Sequence, residues 1–222
     1  MNYGIEMALG FRCGYTMIIK QRKTTMKERK LIDVYKISDK QKLTIRNGIN
    51  CYNYIMKHFN PSDDDFRDVF TEYYLKSQAN MKNSEQRNQF FDVMEKCEPN
   101  TCLIEIVRKL KEQPIGMYEF SFATKLLHTV NAINDVETPI YDSKVRKYLH
   151  EVYEKSFRFN TNSGTEKEQS IVHDWETLTE WYAEFKKTPD CSAWIKWFNT
   201  EFPDARWIND IKKIDFIIFA CN

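Results

Sequence analysis

Few turn-forming residues, a sizeable apolar fraction and apolar side chains recurring at three- and four-residue steps predict an all-α fold. The chain has six glycines and six prolines in 222 residues, fewer than a β-sandwich with many tight turns requires. Its 42% hydrophobic and 14% aromatic content is enough for a core. The 29% charged content suits a solvated surface and argues against disorder over most of the length. The size fits one large domain or two small helical lobes sharing a core. The organisation reads as an N-terminal arm and basic segment over residues 1–37, then a helical domain over 38–222.

Residues 1–19 are glycine-interrupted and lack a helical period, which suits a short strand pair or an arm lying on the body. Lys20–Lys30 then carries six positive charges against Glu28. An exposed linker is the simpler reading of that run, and a backbone-contacting arm the other. From Ser38, Leu43, Ile45, Ile49, Tyr52, Ile55 and Phe59 recur at helical spacing up to Asn60-Pro61. Ser62 is read as the cap of a next helix with Asp63, Asp64 and Asp65 in its first turn, and Phe66, Val69, Phe70, Tyr73 and Tyr74 as its buried stripe. Carboxylates favour the positive end of a helix dipole, which explains the acidic triplet more simply than a divalent metal.

Ser84 opens a helix carrying Phe90, Phe91, Val93 and Met94, and Thr101–Lys111 forms another around Leu103, Ile106, Val107 and Leu110. Pro114 and Gly116 break the chain. A helix starting near Glu119–Ser121 runs to Val130, with Phe122, Leu126, Leu127 and Val130 inward. The remainder reads as helical over Asp142–Phe157, Trp175–Phe185, Cys191–Phe202 and Ala205–Ala220, with a polar loop over Asn160–Glu166. Trp175, Trp181, Trp194, Trp197 and Trp207 all lie in the last third, and aromatics at helical spacing are core by default. A base-stacking platform would instead need exposed rings beside positive charge.

Net charge is +1, mildly against nucleic-acid binding, although a local basic face is compatible with it. The six cysteines fit no zinc spacing; Cys97 and Cys102 have no second Cys or His pair nearby in sequence. They read as reduced thiols of a cytoplasmic protein, with no metal and no cofactor. No apolar run approaches the ~20 residues that a membrane span requires.

The stretch Phe120–Leu149 is the most specific chemically. Lys125 falls about one turn into its helix, where dipole and burial both disfavour an ammonium and would lower its pKa. A neutral amine is what Schiff-base chemistry needs. Asp142, after the restrictive Thr138-Pro139 step, stands at an N-cap position, where backbone N–H groups would orient its carboxylate. Such a carboxylate could stabilise a developing oxocarbenium ion. Lys144, Arg146 and Lys147 follow at once, so phosphates would dock beside it. The blander readings are a lysine snorkelling from an apolar helix and an aspartate that only caps. His128, one turn past Lys125, is a helix-face residue or an acid–base group, and Tyr141 lines a base pocket or packs against the helix.

Thr124-Lys125, the apolar helix after it and the Pro139-Ile140-Tyr141-Asp142 step together resemble the helix-hairpin-helix DNA glycosylases, particularly the 8-oxoguanine type. The resemblance covers Phe120–Leu149, with a Lys-to-Asp spacing slightly shorter than the family's. It implies a two-lobed all-α fold, DNA as partner, and a base flipped into a cleft between lobes. It also implies that Lys125 attacks the sugar C1′ and that Asp142 assists, as in base-excision repair with or without lyase activity. Where the family carries a glycine-rich hairpin, this chain has Met117–Ala123, with Gly116 the one nearby glycine. That departure argues against hairpin-mediated phosphate binding. No C-terminal cysteine cluster suggests an iron–sulfur site. The chain also resembles a set of bacterial proteins sharing a PIYDSKV segment and a KKIDF helix, here Pro139–Val145 and Lys212–Phe216. For those, repair, phage defence or a non-catalytic DNA- or protein-binding role are the implied alternatives. A third alternative is a structural protein whose C-terminal aromatics form an oligomer interface.

Overall fold

The computed structural model describes residues 31–75, 84–112, 120–158 and 166–222, and among these the chain is all-helical. The basic run Lys20–Lys30, the arm of residues 1–19 and the hairpin residues Gly116–Glu119 lie outside the described residues, as do residues 159–165 of the polar loop. No helix of the described residues is long and apolar enough to cross a membrane.

Helix α1 (Asp39–Lys57) is started by a reciprocal capping box. The Ser38 hydroxyl accepts from Gln41 N–H, and the Gln41 side chain accepts from Ser38 N–H at 2.9 Å. Its buried face is Ile45, Ile49, Tyr52 and Ile55; Leu43, expected on that stripe, is instead 60% exposed. The cap of α2 (Asp64–Phe70) is Asp63, not Ser62. Asp63 Oδ1 accepts from Phe66 N–H at 2.8 Å, while Ser62 bonds to Glu95. A carboxylate one residue closer to the first turn is the better acceptor for its unpaired N–H groups. The last turn runs on as a π-helical stretch, Thr71–Leu75, with Tyr74 and Leu75 buried.

Helices α3 (Ser84–Glu95), α4 (Leu103–Glu112) and α5 (Phe120–Ile133) follow, and α4 packs on both α3 and α5. Then come α6 (Ser143–Tyr153), α7 (Glu166–Phe185), α8 (Pro189–Glu201) and α9 (Asp210–Cys221). α7 begins at Glu166, well before Trp175; its first turn is polar, and buried Ile171 extends the apolar face toward Leu178. Ahead of α1, Val34 and Ile37 are also buried, and the single turn Val34–Lys36 packs on α8.

α9 is the axis of the molecule. It packs against α1, α6 and α8, and every residue from Ile211 to Ile218 is buried. A helix buried all round must pair any charge it carries, and α9 carries Lys212, Lys213 and Asp215. α1 reaches α9 at Gly48, where a Cβ would stand 2.7 Å from Phe216 Cε1. Trp181, Trp194 and Trp197 are core as expected; Trp207 and Phe219 are not, at 51% and 44% exposed.

Candidate active site

Three polar side chains on one stripe of α5, at positions i, i+4 and i+7, hold the segment leading to Asp142. Thr124 Oγ1 accepts from Tyr141 N–H at 3.1 Å. His128 Nδ1 lies 2.6 Å from the Thr138 carbonyl, and Asn131 Nδ2 donates to Thr138 Oγ1 at 2.7 Å. A carbonyl only accepts, so Nδ1 carries the proton and Nε2 accepts from the Tyr52 hydroxyl at 3.2 Å. His128 is fully buried. Burial, then the Lys212 ammonium, hold its pKa down to about 3, against the Thr138 carbonyl, so it is a neutral structural imidazole at physiological pH.

The Thr124–Tyr141 bond joins the residue before Lys125 to the residue before Asp142. Asp142 is the N-cap of α6, its Oδ1 accepting from Lys144 and Val145 N–H, both at 2.8 Å. Lys125 does not snorkel. It is 9% exposed, and its Nζ donates to the Tyr74 carbonyl at 2.8 Å. That carbonyl belongs to the π-helical stretch, a departure from regular helix of the kind often found at functional sites.

Beside Lys125 lies a second buried group, in the Lys212–Phe216 segment that sequence marked only by a likeness and not as a site. Lys212 Nζ meets Asp215 Oδ2 at 2.6 Å, one helical turn along α9, with the two side chains 2% and 7% exposed. Four rings, those of Tyr52, Tyr73, Tyr74 and Phe216, stand 4.8–5.5 Å from the ammonium, the geometry of cation–π contact. Burial pulls the Lys212 amine down, but the Asp215 carboxylate together with Tyr73 and Tyr74 outweighs it and holds the amine well above its ordinary value. Burial also pushes the Asp215 carboxyl up, against Lys212. At 2.6 Å the two form a close ion pair, and the Asp215 carboxylate is the member left to take a proton as pH falls. Asp142 and Lys125 both act on that carboxyl, Asp142 raising its pKa and Lys125 lowering it. Asp215 Oδ1 and the hydroxyls of Tyr74 and Tyr182 are buried without a hydrogen-bond partner among the described residues.

Tyr74 therefore links two lysines, its carbonyl holding Lys125 and its ring facing Lys212. A KKIDF segment shows two cations and an acid at helical spacing; what it conceals is that α1 and the π-helical stretch converge on them with three tyrosines.

The remaining predicted residues are spread around α6. Tyr141 is buried, its ring 4.2 Å from Phe120 and its hydroxyl donating to Asp174 Oδ2 at 3.4 Å. Burial and then Asp174 push its phenol up, with Arg146 opposing them. Lys144 Nζ donates to the Phe219 carbonyl at 2.9 Å and sits 4.1 Å over the Phe219 ring, so it fastens α6 to the end of α9. Arg146 is half-buried and Lys147 exposed. The fully buried Asp174, which accepts from Arg158 N–H at 2.7 Å, is a further site that local sequence gave no sign of. No family model, curated protein or solved structure matches this chain.

Proposed function

We propose that the protein is a DNA glycosylase with associated lyase chemistry, acting through Lys125 and Asp142 within a two-lobed, helix-hairpin-helix glycosylase-like fold. The observation that carries this reading is the 3.1 Å Tyr141–Thr124 hydrogen bond. It brings the start of α6, with its anchored carboxylate, to the turn of α5 that bears a buried amine. The packing of α4 on α5, either side of residues 113–119, is the pairing a helical hairpin requires.

In this reaction the neutral Lys125 amine attacks C1′ of a flipped nucleotide. The C1′–N bond breaks, and its electron pair leaves with the base, which takes up a proton. Asp142, kept in place by two backbone N–H groups, lowers the energy of the cationic sugar as the bond opens. Loss of the amine proton and opening of the sugar ring at O4′ give a C1′=N Schiff base. Removal of a C2′ proton then expels the 3′ phosphate, and water releases the lysine.

A non-catalytic DNA- or protein-binding module is the second reading. The bond from Lys125 to the Tyr74 carbonyl favours it, since an amine so held serves equally as a tie between α5 and the π-helical stretch.

Base excision decides between them. A duplex with one 8-oxoguanine, and a panel of other modified bases, would be incubated with the protein and then treated with alkali to reveal abasic sites. Strand breaks that fall at least ~100-fold in Lys125→Ala and Asp142→Asn support catalysis, since losing a nucleophile or a charge stabiliser costs at least that much. No break on any substrate with wild type leaves the binding module.

A further inference from the structure

We propose that the groove between α8 and the start of α9 is a DNA-backbone site, taking phosphates of the duplex that the glycosylase reading gives the protein as substrate. The inference rests on that reading for the identity of the polymer. The groove encloses about 610 Å³ and is lined by Lys186, Lys196, Arg206, Asp210, Ser192 and Thr200 among others. Among the described residues no carboxylate pairs with Lys196 or Arg206; the Arg206 Nε–H donates to the Asn199 carbonyl at 3.1 Å, which fixes its guanidinium at the rim. Asp210, the acid of the lining, is engaged by Lys213 at 3.2 Å. Two uncompensated cations beside two hydroxyls, on a chain whose net charge is only +1, form a local phosphate-binding face of the kind overall charge conceals.

The chemistry of the lining, cations beside hydroxyls, gives the groove its occupant. Glu137, five residues before Asp142, pairs with Lys186 on the groove wall and accepts from Asp210 N–H at 3.1 Å. The segment that α5 pins on one side is thereby fixed to the groove on the other. Trp207, next to Arg206, is 51% exposed, and its inner face stacks on Tyr52 at 5.9 Å and 10°. Its outer face is an aromatic surface beside positive charge, the combination on which unpaired bases stack. By contrast Lys144 is occupied by Phe219.

The test is fluorescence anisotropy with a labelled duplex carrying a central tetrahydrofuran abasic analogue, titrated across a salt series. K196E/R206E and W207A would be compared with wild type and with K144E/K147E. These side chains are exposed or half-buried, and circular dichroism checks that each variant folds. Binding weakened at least ~10-fold in K196E/R206E, with the slope of log K against log salt reduced by about 2, matches two lost phosphate contacts. Unchanged binding and slope in that variant, or no binding by wild type at 50 mM salt, overturns the groove. Borohydride trapping on an abasic duplex, run in parallel, separates the two ideas. Wild type that traps while K196E/R206E binds normally refutes the groove and keeps the glycosylase. Wild type that binds through the groove but traps nothing keeps the groove and refutes the lyase step.

Discussion

At the scale of single residues, the site is a contest between burial and pairing. Lys212 and Asp215 tolerate burial because each supplies the other's counter-charge at 2.6 Å; His128 tolerates it by staying neutral. That neutrality has a pH signature. The folded pKa of about 3 lies below the ordinary 6.5, so between those values the unfolded chain binds a proton that the folded chain does not. Stability from this group is complete above pH 6.5 and is lost as pH falls toward 3. The linkage relation gives a loss of about 2 kcal/mol between pH 7 and pH 5. Asp215, whose pKa is raised, works in the opposite direction, so the effect is read as a difference between proteins. Urea unfolding at the two pH values should show wild type losing about 2 kcal/mol more than His128→Gln. Equal losses in the two proteins would mean that His128 is not held neutral.

Lys125 and Asp142 were legible at this scale because an isolated lysine in an apolar helical stripe and an aspartate after a Pro step are local patterns. Thr124 and Asn131 were not, since their partners lie 17 and 7 residues away on a segment whose path no periodicity reveals. Lys212, Asp215 and the tyrosines around them come from three separate elements. Only tertiary packing assembles them.

At the scale of elements, hydrophobic spacing located all nine helices of the described residues, erring where a polar first turn hid the start of α7, where a capping side chain had a neighbour of similar chemistry, and where Ala205–Asn209 was joined to α9, which starts at Asp210 behind the Asn209 cap. It could not show that α9 is buried on every side. The contact between α1 and α9 is set by Gly48, and this makes a prediction contrary to propensity. Alanine in a helix interior is ordinarily about 1 kcal/mol better than glycine. Here the new methyl would meet Phe216 Cε1 at 2.7 Å. That ring is buried, stacks on Phe198 and faces Tyr52 edge-on, so it has little room to yield. Overpacking of this sort costs about 1–3 kcal/mol, and Gly48→Ala should lower the melting temperature. A rise would show that the helices part without penalty and that their close approach is incidental.

At the scale of the whole molecule, the all-α class follows from composition and period, whereas the distribution of charge does not. A net charge of +1 spoke mildly against DNA, yet the folded chain gathers Lys196 and Arg206 on one groove and fastens Lys144 elsewhere. The Glu137–Asp142 segment is tied to α5 through Thr124, His128 and Asn131, and to the α8–α9 groove through Glu137.

Borohydride reduction of the protein with an abasic-site duplex, followed by digestion and mass spectrometry, asks whether the Lys125 amine is a nucleophile. A covalent adduct on the peptide containing Lys125, absent in Lys125→Ala, is the expected result. An adduct mapped to Lys212 or to a surface lysine, or undiminished in Lys125→Ala, would contradict it.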